Sequence, residues 1–536
     1  THGAPSDVNA HPHSSNDSKF AVVHNGIIEN YMEFKEELEA KGYKFKSETD
    51  TETVVHLIDS YYNEGMDLLD AVFKVLDRIE GSYALGIVCK DFPDTLIAAR
   101  KDSPLVVGIG EGENFIASDM PAILNYTKNV YLLDDKEVAI IKADSIEILN
   151  DKKEPVKKEV FTYNWDIEAA EKNGYDHFML KEIYEQPKVV KDNISSRFSD
   201  DGKSIKLDGI KLGKKELENI NRIYIVACGT AFYAGQVGKF LIERIARIPV
   251  NSEVASEFRY KDPLIDEHTL MIVVSQSGET ADTLAAMRLA QSKGARVLGV
   301  VNAVGSSIAR EADDVLYTLA GPEIAVASTK AFSAQVVAMY LLTLHIAQEL
   351  NKISPEEFAK IKVALEELPS LVNNILTKAA PAIEKFTQKY IHSKNVFYIG
   401  RGLDYIVGME GSLKLKEIAY LHSEPYAAGE LKHGPIALIE DSTLVGIVTQ
   451  EDLFEKTVSN IREVKARGAK VLAIAMSGNT EIEKYADDVI YIPRTHWMLT
   501  SLLANIPQQL FAYYMARDLG NDVDKPRNLA KSVTVE

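Results

Sequence analysis

Two hydrophobic patterns divide this chain. Over residues 1 to about 165, apolar runs such as AVVHNGIIEN and GSYALGIV have the length of strands. EFKEELEAKG and TETVVHLIDSYY instead place apolar residues every three to four positions, as helices do. From about residue 220 a regular alternation takes over: RIYIVACG, GQVGKFLIERIAR, TLMIVVSQSG, TADTLAAMRLAQSKG, RVLGVVN. Continuous apolar runs separated by helical segments predict βαβ units and parallel sheets covered on both faces. Between the two regions, FTYNWDIEAAEKNGYDHFMLKEIYEQP is polar and aromatic without a steady period, and reads as a connection.

The alternating region repeats itself. IYIVACGTAFYAG around Gly229 corresponds to VFYIGRGLDYIVG around Gly402, 173 residues on. KGARVLGV from Lys293 corresponds to RGAKVLAI from Arg467, 174 residues on. Two matches at nearly one spacing predict two copies of one α/β unit. The resulting division is 1–165, a connection at 166–185, α/β units at 186–360 and 361–524, and a tail at 525–536. The tail KPRNLAKSVTVE fits neither a helix nor a good strand.

A chain of 536 residues exceeds one hydrophobic core, in keeping with several domains. Hydrophobic residues make up 46% and charged residues 26%, the balance of a globular protein. The net charge of −19 argues against nucleic acid as the main partner, while local N–H nests could still hold a small anion. No run of 18 apolar residues and no charged-then-apolar leader is present, so neither a membrane span nor a leader is expected. Cys89 and Cys228 both lie in apolar runs and read as buried thiols of a reducing cytoplasm. His2, His11, His13 and His24 invite a zinc site. Their spacing fits no ligand pattern, and no metal or other cofactor is expected.

Two segments carry candidate chemistry. In TLMIVVSQSGETADT, Ser275, Gln276, Ser277 and Thr280 fall where a strand ends and a helix begins. Unpaired N–H groups and the helix dipole there attract an anion, and the hydroxyls either add donors or merely cap the helix. In MEGSLKLKEIAY, Glu410, Lys414 and Glu417 stand at i, i+4 and i+7 and so share one helix face. This is either a solvent-facing ion pair or a half-buried set whose mutual perturbation tunes a carboxylate for proton transfer. His433, in AAGELKHGP, lies on a segment that cannot be regular helix and could serve as acid or base.

SQSGETADT, GPEIAVASTKAF, EGSLKLKEIAY, AAGELKHGP and the terminal LAKSVTVE together resemble the isomerizing glutamine–fructose-6-phosphate aminotransferases, also called glucosamine-6-phosphate synthases, of bacterial type. The resemblance spans essentially the whole chain. It implies an α/β protein with two tandem sugar-isomerase (SIS) domains behind an α+β glutaminase domain of N-terminal-nucleophile (Ntn) type. By this resemblance Ser275, Gln276, Ser277, Thr280, Thr230 and Ser328 bind the sugar phosphate. Glu417 moves a proton between C1 and C2 with help from Lys414. His433, from a neighbouring subunit of a homodimer, opens the ring, and Lys531 forms a Schiff base with the ketose. Ala231 stands where many relatives have Ser.

At the front, Asn25 and Gly26 match the oxyanion donors, and Asp50, Thr1 and His2 match the glutamine pocket. The family's nucleophile is an N-terminal Cys, a place that neither Cys89 nor Cys228 fills. The expectation is therefore a front domain lacking its nucleophilic segment, without glutaminase activity but with sugar-phosphate binding and isomerisation retained. Two rivals remain: a non-catalytic SIS regulator that senses a sugar phosphate, and another Ntn amidotransferase. The first would not need Glu417, His433 and Lys531, and the doubled SIS half argues against the second.

Overall fold

A computed structural model describes residues 3–4, 6–163, 171–440 and 442–533. Contacts divide the chain into two compact units: residues 1–170 with 279–281 and 532–536, and residues 171–278 with 282–531.

The first unit is built on antiparallel strands. Numbered along the chain they are β1 (His13–Ser14), β2 (Phe20–Ile28), β3 (Gly81–Cys89), β4 (Phe92–Lys101), β5 (Val106–Ile109), β6 (Asn114–Ala117), β7 (Asn129–Leu132), β8 (Val138–Ile141), β9 (Ile146–Leu149) and β10 (Phe161–Thr162). They form a six-stranded sheet in the order β1-β2-β3-β4-β8-β9 and a four-stranded sheet in the order β10-β7-β5-β6. Helices α1 (Tyr31–Ala40), α2 (Thr51–Asn63) and α3 (Leu68–Leu76) bury their apolar faces in one core with Val22, Ile28, Leu85 and Ile97.

The second unit carries the repeat. Its first half runs through α4 (Phe178–Ser195), α5 (Lys214–Glu218), β11 (Arg222–Ala227), α6 (Gly229–Leu241), β12 (Val250–Val254), α7 (Ala255–Phe258), β13 (Thr269–Ser275), α8 (Ala281–Ser292), β14 (Arg296–Val301), α9 (Ser307–Glu311), β15 (Asp314–Tyr317) and α10 (Lys330–Glu349). The second half runs through α11 (Pro355–Asn374), α12 (Ala380–Tyr390), β16 (Asn395–Gly400), α13 (Leu403–Ala419), β17 (His422–Ala427), β18 (Thr443–Val448), α14 (Phe454–Lys465), β19 (Lys470–Met476), β20 (Asp488–Ile492) and α15 (Thr500–Asp518). Both sheets are wholly parallel. Their orders, β12-β11-β13-β14-β15 and β17-β16-β18-β19-β20, are the same permutation, so the sequence repeat is a structural repeat.

The stretch read as a connection is helical from Phe178 onward. α4 buries Met179, Glu182, Ile183 and Gln186 and packs against α10 and α11. Its apolar period is broken by these buried polar residues, which hid the helix. α10 is the one described helix long and apolar enough to cross a membrane by length and composition, and 89% of its apolar window is buried inside the unit. Cys89 is buried and Cys228 half-buried, both as free thiols.

Candidate active site

In a sheet of order 2-1-3-4-5, ligands bind at the carboxyl ends of the two strands where the chain's direction of winding reverses. In the first sheet these strands are β11 and β13, adjacent and parallel. β11 leads through Cys228 and Gly229 to Thr230, and β13 ends at Ser275, so Thr230 and the turn from Ser275 to Gly278 lie at that crevice. The turn is braced from below. Ser275 is buried, and its Oγ accepts the Gly278 N–H at 3.0 Å. The Gln276 and Gly278 carbonyls accept N–H groups from Asn302, Ala303 and Ile308, residues at the end of β14 and in α9. Gly278 has φ +66°, and a Cβ there would meet Ser306 Oγ at 2.1 Å, so only glycine closes this turn. Ser275 thus shapes the loop, while Gln276, Ser277 and Thr280 are half-buried.

α13 brings the acid–base set to the same place. The helix is apolar on most sides and buried among β16, β17, α6 and α15. Glu410 and Lys414 have side chains 0% exposed, and Glu417 is 21% exposed. A solvent-facing ion pair is excluded by that burial. Lys414 Nζ lies 2.6 Å from Glu417 Oε2 and 3.4 Å from Glu410 Oε1. It also donates to Thr230 Oγ1 at 3.0 Å, and Thr230 donates to Glu410 Oε1 at 3.3 Å. Burial pushes the Glu410 carboxyl up to about 8, with Lys414 pulling the other way. Burial works against the charge on Lys414, but Glu410 and Glu417 outweigh it and hold the ammonium above the ordinary lysine value. The result is a buried lysine held in its charged form between two carboxyl groups, one fully buried and one partly exposed.

Lys531 sits in the tail, and contacts hold its described residues and the segment just before it. Asp524 accepts the Phe178 and Met179 N–H groups at 2.9 Å, capping α4, and Tyr420 Oη accepts the Arg527 N–H at 2.9 Å. Lys531 Nζ then donates to Glu323 Oε2 at 2.6 Å and to the Ala325 carbonyl at 2.8 Å. Glu323 lies in GPEIAVASTKAF, five residues before the half-buried Ser328. Its charge also reaches Lys414, which links the tail lysine to the α13 set.

His433 does not join this cluster. It ends a 3-10 turn, Ala428–His433, is exposed, and has no hydrogen bond or ion pair to Glu417 or Lys531 among the described residues. Sequence reasoning passed over Glu323 and Glu182. The first stood inside a quoted motif but was given no role, and the second lay in the aperiodic stretch that carried no helical signal.

In the first unit, Asn25 is exposed on β2 and Gly26 follows with φ +145°, where a Cβ would meet the Ser82 carbonyl at 2.1 Å. Asp50, 2% exposed before α2, accepts the Ile28 N–H at 2.7 Å. Thr1 and His2 lie outside the described residues. Cys89 pairs in register with Phe20 while Asn25 pairs with Ala84, which places the thiol about 17 Å along the sheet from Asn25. The other three histidines that invited a zinc site bind hydroxyls: His11 and His24 share Thr51 at 3.3 and 3.0 Å, and His13 meets Thr49 at 3.0 Å.

The SIS domain family matches residues 216–345 and 389–517, and the glutamine amidotransferase domain family matches residues 5–125. Over its whole length the chain is 57% identical to a glutamine–fructose-6-phosphate aminotransferase (isomerizing) of Clostridium tetani, covering 88% of that relative. This chain belongs to that family. A Caldanaerobacter subterraneus enzyme of the same name is 58% identical, again over all of this chain and 88% of the relative. The solved C-terminal domain of the Francisella tularensis glucosamine-fructose-6-phosphate aminotransferase is 39% identical with a TM-score of 0.63. It aligns over its full length with 66% of this chain. These matches agree with the tandem SIS architecture and the amidotransferase front expected from the sequence, and they favour neither rival reading.

Proposed function

We propose that this protein transfers the amide nitrogen of glutamine to fructose 6-phosphate and isomerises the product to glucosamine 6-phosphate, releasing glutamate. The observation that carries this reading is the joining of Thr230, Lys414 and Glu417 by hydrogen bonds at the crevice that also holds the turn from Ser275 to Gly278. Ser277, Thr280 and Gln276 would hold the phosphate at the end of β13, with Ser275 shaping the loop and Thr230 and Ser328 contacting the sugar. Lys531 would condense with the open-chain ketone at C2, expelling water. Ammonia would then add at C2 and release the lysine amine. Glu417, partly exposed beside a fixed ammonium, would take a proton from C1 and return it at C2, giving the aldose amine. Asn25 and Gly26 would serve as oxyanion donors to glutamine, and Asp50, with Thr1 and His2, would line its pocket.

His433 enters this scheme only from a second copy of the chain, since it is exposed and apart from the cluster in its own subunit. We therefore place the working enzyme as a homodimer, in the cytoplasm, where sugar phosphates are found. The protein with the family's N-terminal cysteine segment in place, incubated with fructose 6-phosphate and amide-15N glutamine, should yield 15N-labelled glucosamine 6-phosphate by mass spectrometry. Unlabelled product, or none when free ammonia is also supplied, would overturn the proposal.

A further inference from the structure

Glu323 is a carboxylate that the fold has built in place. It is 3% exposed. Its Oε1 accepts the N–H groups of Thr329 at 2.9 Å and Ala331 at 3.0 Å, so it caps the start of the 20-residue helix α10, where the helix dipole favours a negative charge. The backbone beside it is held as well: Glu182 Oε1 accepts the N–H groups of Ile324 at 2.6 Å and Ala325 at 3.2 Å. The Thr329 carbonyl accepts Gln509 Nε2 at 3.2 Å, and Gln509 in turn accepts Gln186 Nε2 at 2.8 Å. Bonds from α4, α10 and α15 therefore fix Glu323 without help from Lys531.

The charged groups around it leave Glu323 as the partner of Lys531. Burial pushes Glu182 up to about 8, with the charge of Glu323 adding to the effect, so Glu182 is largely neutral near pH 7. Lys330 on α10 pairs with Glu185 at 2.7 Å, and Lys414 on α13 pairs with Glu417. Burial alone would raise Glu323, but Lys531 outweighs it and brings the carboxyl down to about 2.

We propose that Glu323 is the counter-ion of the iminium that Lys531 forms with the ketose, which rests on the reading of Lys531 given above. Lys531 attacks the ketone as the free amine, after giving up a proton, and the carbinolamine regains that proton as it loses water. In net terms an ammonium and a ketone give one iminium and one water, with the positive charge on the nitrogen before and after the step. Lys531 now uses two N–H bonds, to Glu323 and to the Ala325 carbonyl, whereas an iminium keeps one. A carboxylate accepts it in preference to a carbonyl, because the hydrogen bond is charge-assisted. The charge must persist for C2 to accept ammonia, and Lys330 and Lys414 nearby would otherwise favour its loss. Glu323 is thus a positioning residue that keeps the imine protonated and its nitrogen aimed.

Cyanoborohydride reduces iminium rather than neutral imine, so trapping at equilibrium with fructose 6-phosphate, followed across pH, reads the protonation directly. Peptide mass spectrometry assigns the adduct to Lys531. In Glu323→Gln the pH of half-maximal trapping should fall by about 1–3 units relative to the parent. In Glu323→Asp, which keeps the charge but draws it back, the fall should be smaller. An unchanged midpoint in Glu323→Gln, or an equal loss of trapping at every pH, would overturn the counter-ion role alone. Absence of any adduct in the parent chain would overturn the assignment of Lys531, and the counter-ion with it. Should Glu323→Gln fail to fold, Glu323→Asp carries the test, and an unchanged midpoint there overturns the inference.

Discussion

Replacing Lys414 with Met removes the one cation between two carboxyl groups while keeping an apolar stem of similar length. Breaking a buried ion pair costs about 3–5 kcal/mol. The lower end applies here, because Glu417 is 21% exposed and can recover some hydration. The pH dependence is more diagnostic. In the parent, Glu410 titrates at about 8 in the folded protein against 4.5 for an ordinary glutamate. Its contribution to stability is fully present below 4.5 and is lost as pH rises through 8, at about 1.4 kcal/mol per unit. Above 8 the parent levels off, because Lys414 supports the ionised form. Without Lys414 the buried carboxyl stays protonated, and the loss continues at the same slope. The stability difference between parent and Lys414→Met should be roughly constant from pH 6 to 8. It should then widen by about 1.4 kcal/mol per unit toward pH 9.5. Urea unfolding followed by Trp497 fluorescence, in a Trp165→Phe background, measures it. Adding Glu410→Gln should abolish the widening. A difference that stays flat above pH 8, or one that widens despite Glu410→Gln, would refute the reasoning.

Other outcomes follow from the same geometry. Ser277→Ala should raise KM for fructose 6-phosphate about tenfold, the worth of one charge-assisted hydrogen bond, in steady-state isomerisation kinetics. Gly278→Ala should disorder the loop and lower sugar-phosphate affinity by calorimetry, since its Cβ would lie 2.1 Å from Ser306 Oγ at φ +66°. Burial lowers His24 to about 4, against 6.5 for a free histidine. The first unit should therefore lose about 3 kcal/mol as pH falls from 6.5 to 4, a loss absent in His24→Gln when unfolding is followed by circular dichroism. Mixing inactive His433→Ala and Glu417→Gln subunits should restore about one working site per mixed dimer, measured as product formed after subunit exchange.

Much of this architecture was legible because the parallel sheets are written as continuous apolar runs, and the duplication repeated them at one spacing. The SQSGET loop and the α13 charges could be placed on their elements from periodicity alone. What periodicity could not decide was burial: Glu410, Lys414 and Glu417 have the same spacing as an ordinary surface ion pair, and only the packing of β16, β17, α6 and α15 around α13 distinguishes them. The roles of Glu417 and Lys531 came from resemblance, not from any local pattern. Glu182 and Glu323 were missed for a related reason. A buried carboxylate that caps backbone N–H groups from a distant segment leaves no trace in local sequence, and α4 was hidden because its buried face is partly polar.

The central claim is that the crevice at β11 and β13, served by Glu417, moves a proton on a sugar phosphate. Incubating the protein with fructose 6-phosphate in D2O and following the sugar by NMR tests it most directly. Deuterium should enter at C1 and C2 with the parent and stop entering with Glu417→Gln, while sugar-phosphate binding persists. Exchange that continues undiminished in Glu417→Gln would contradict the account.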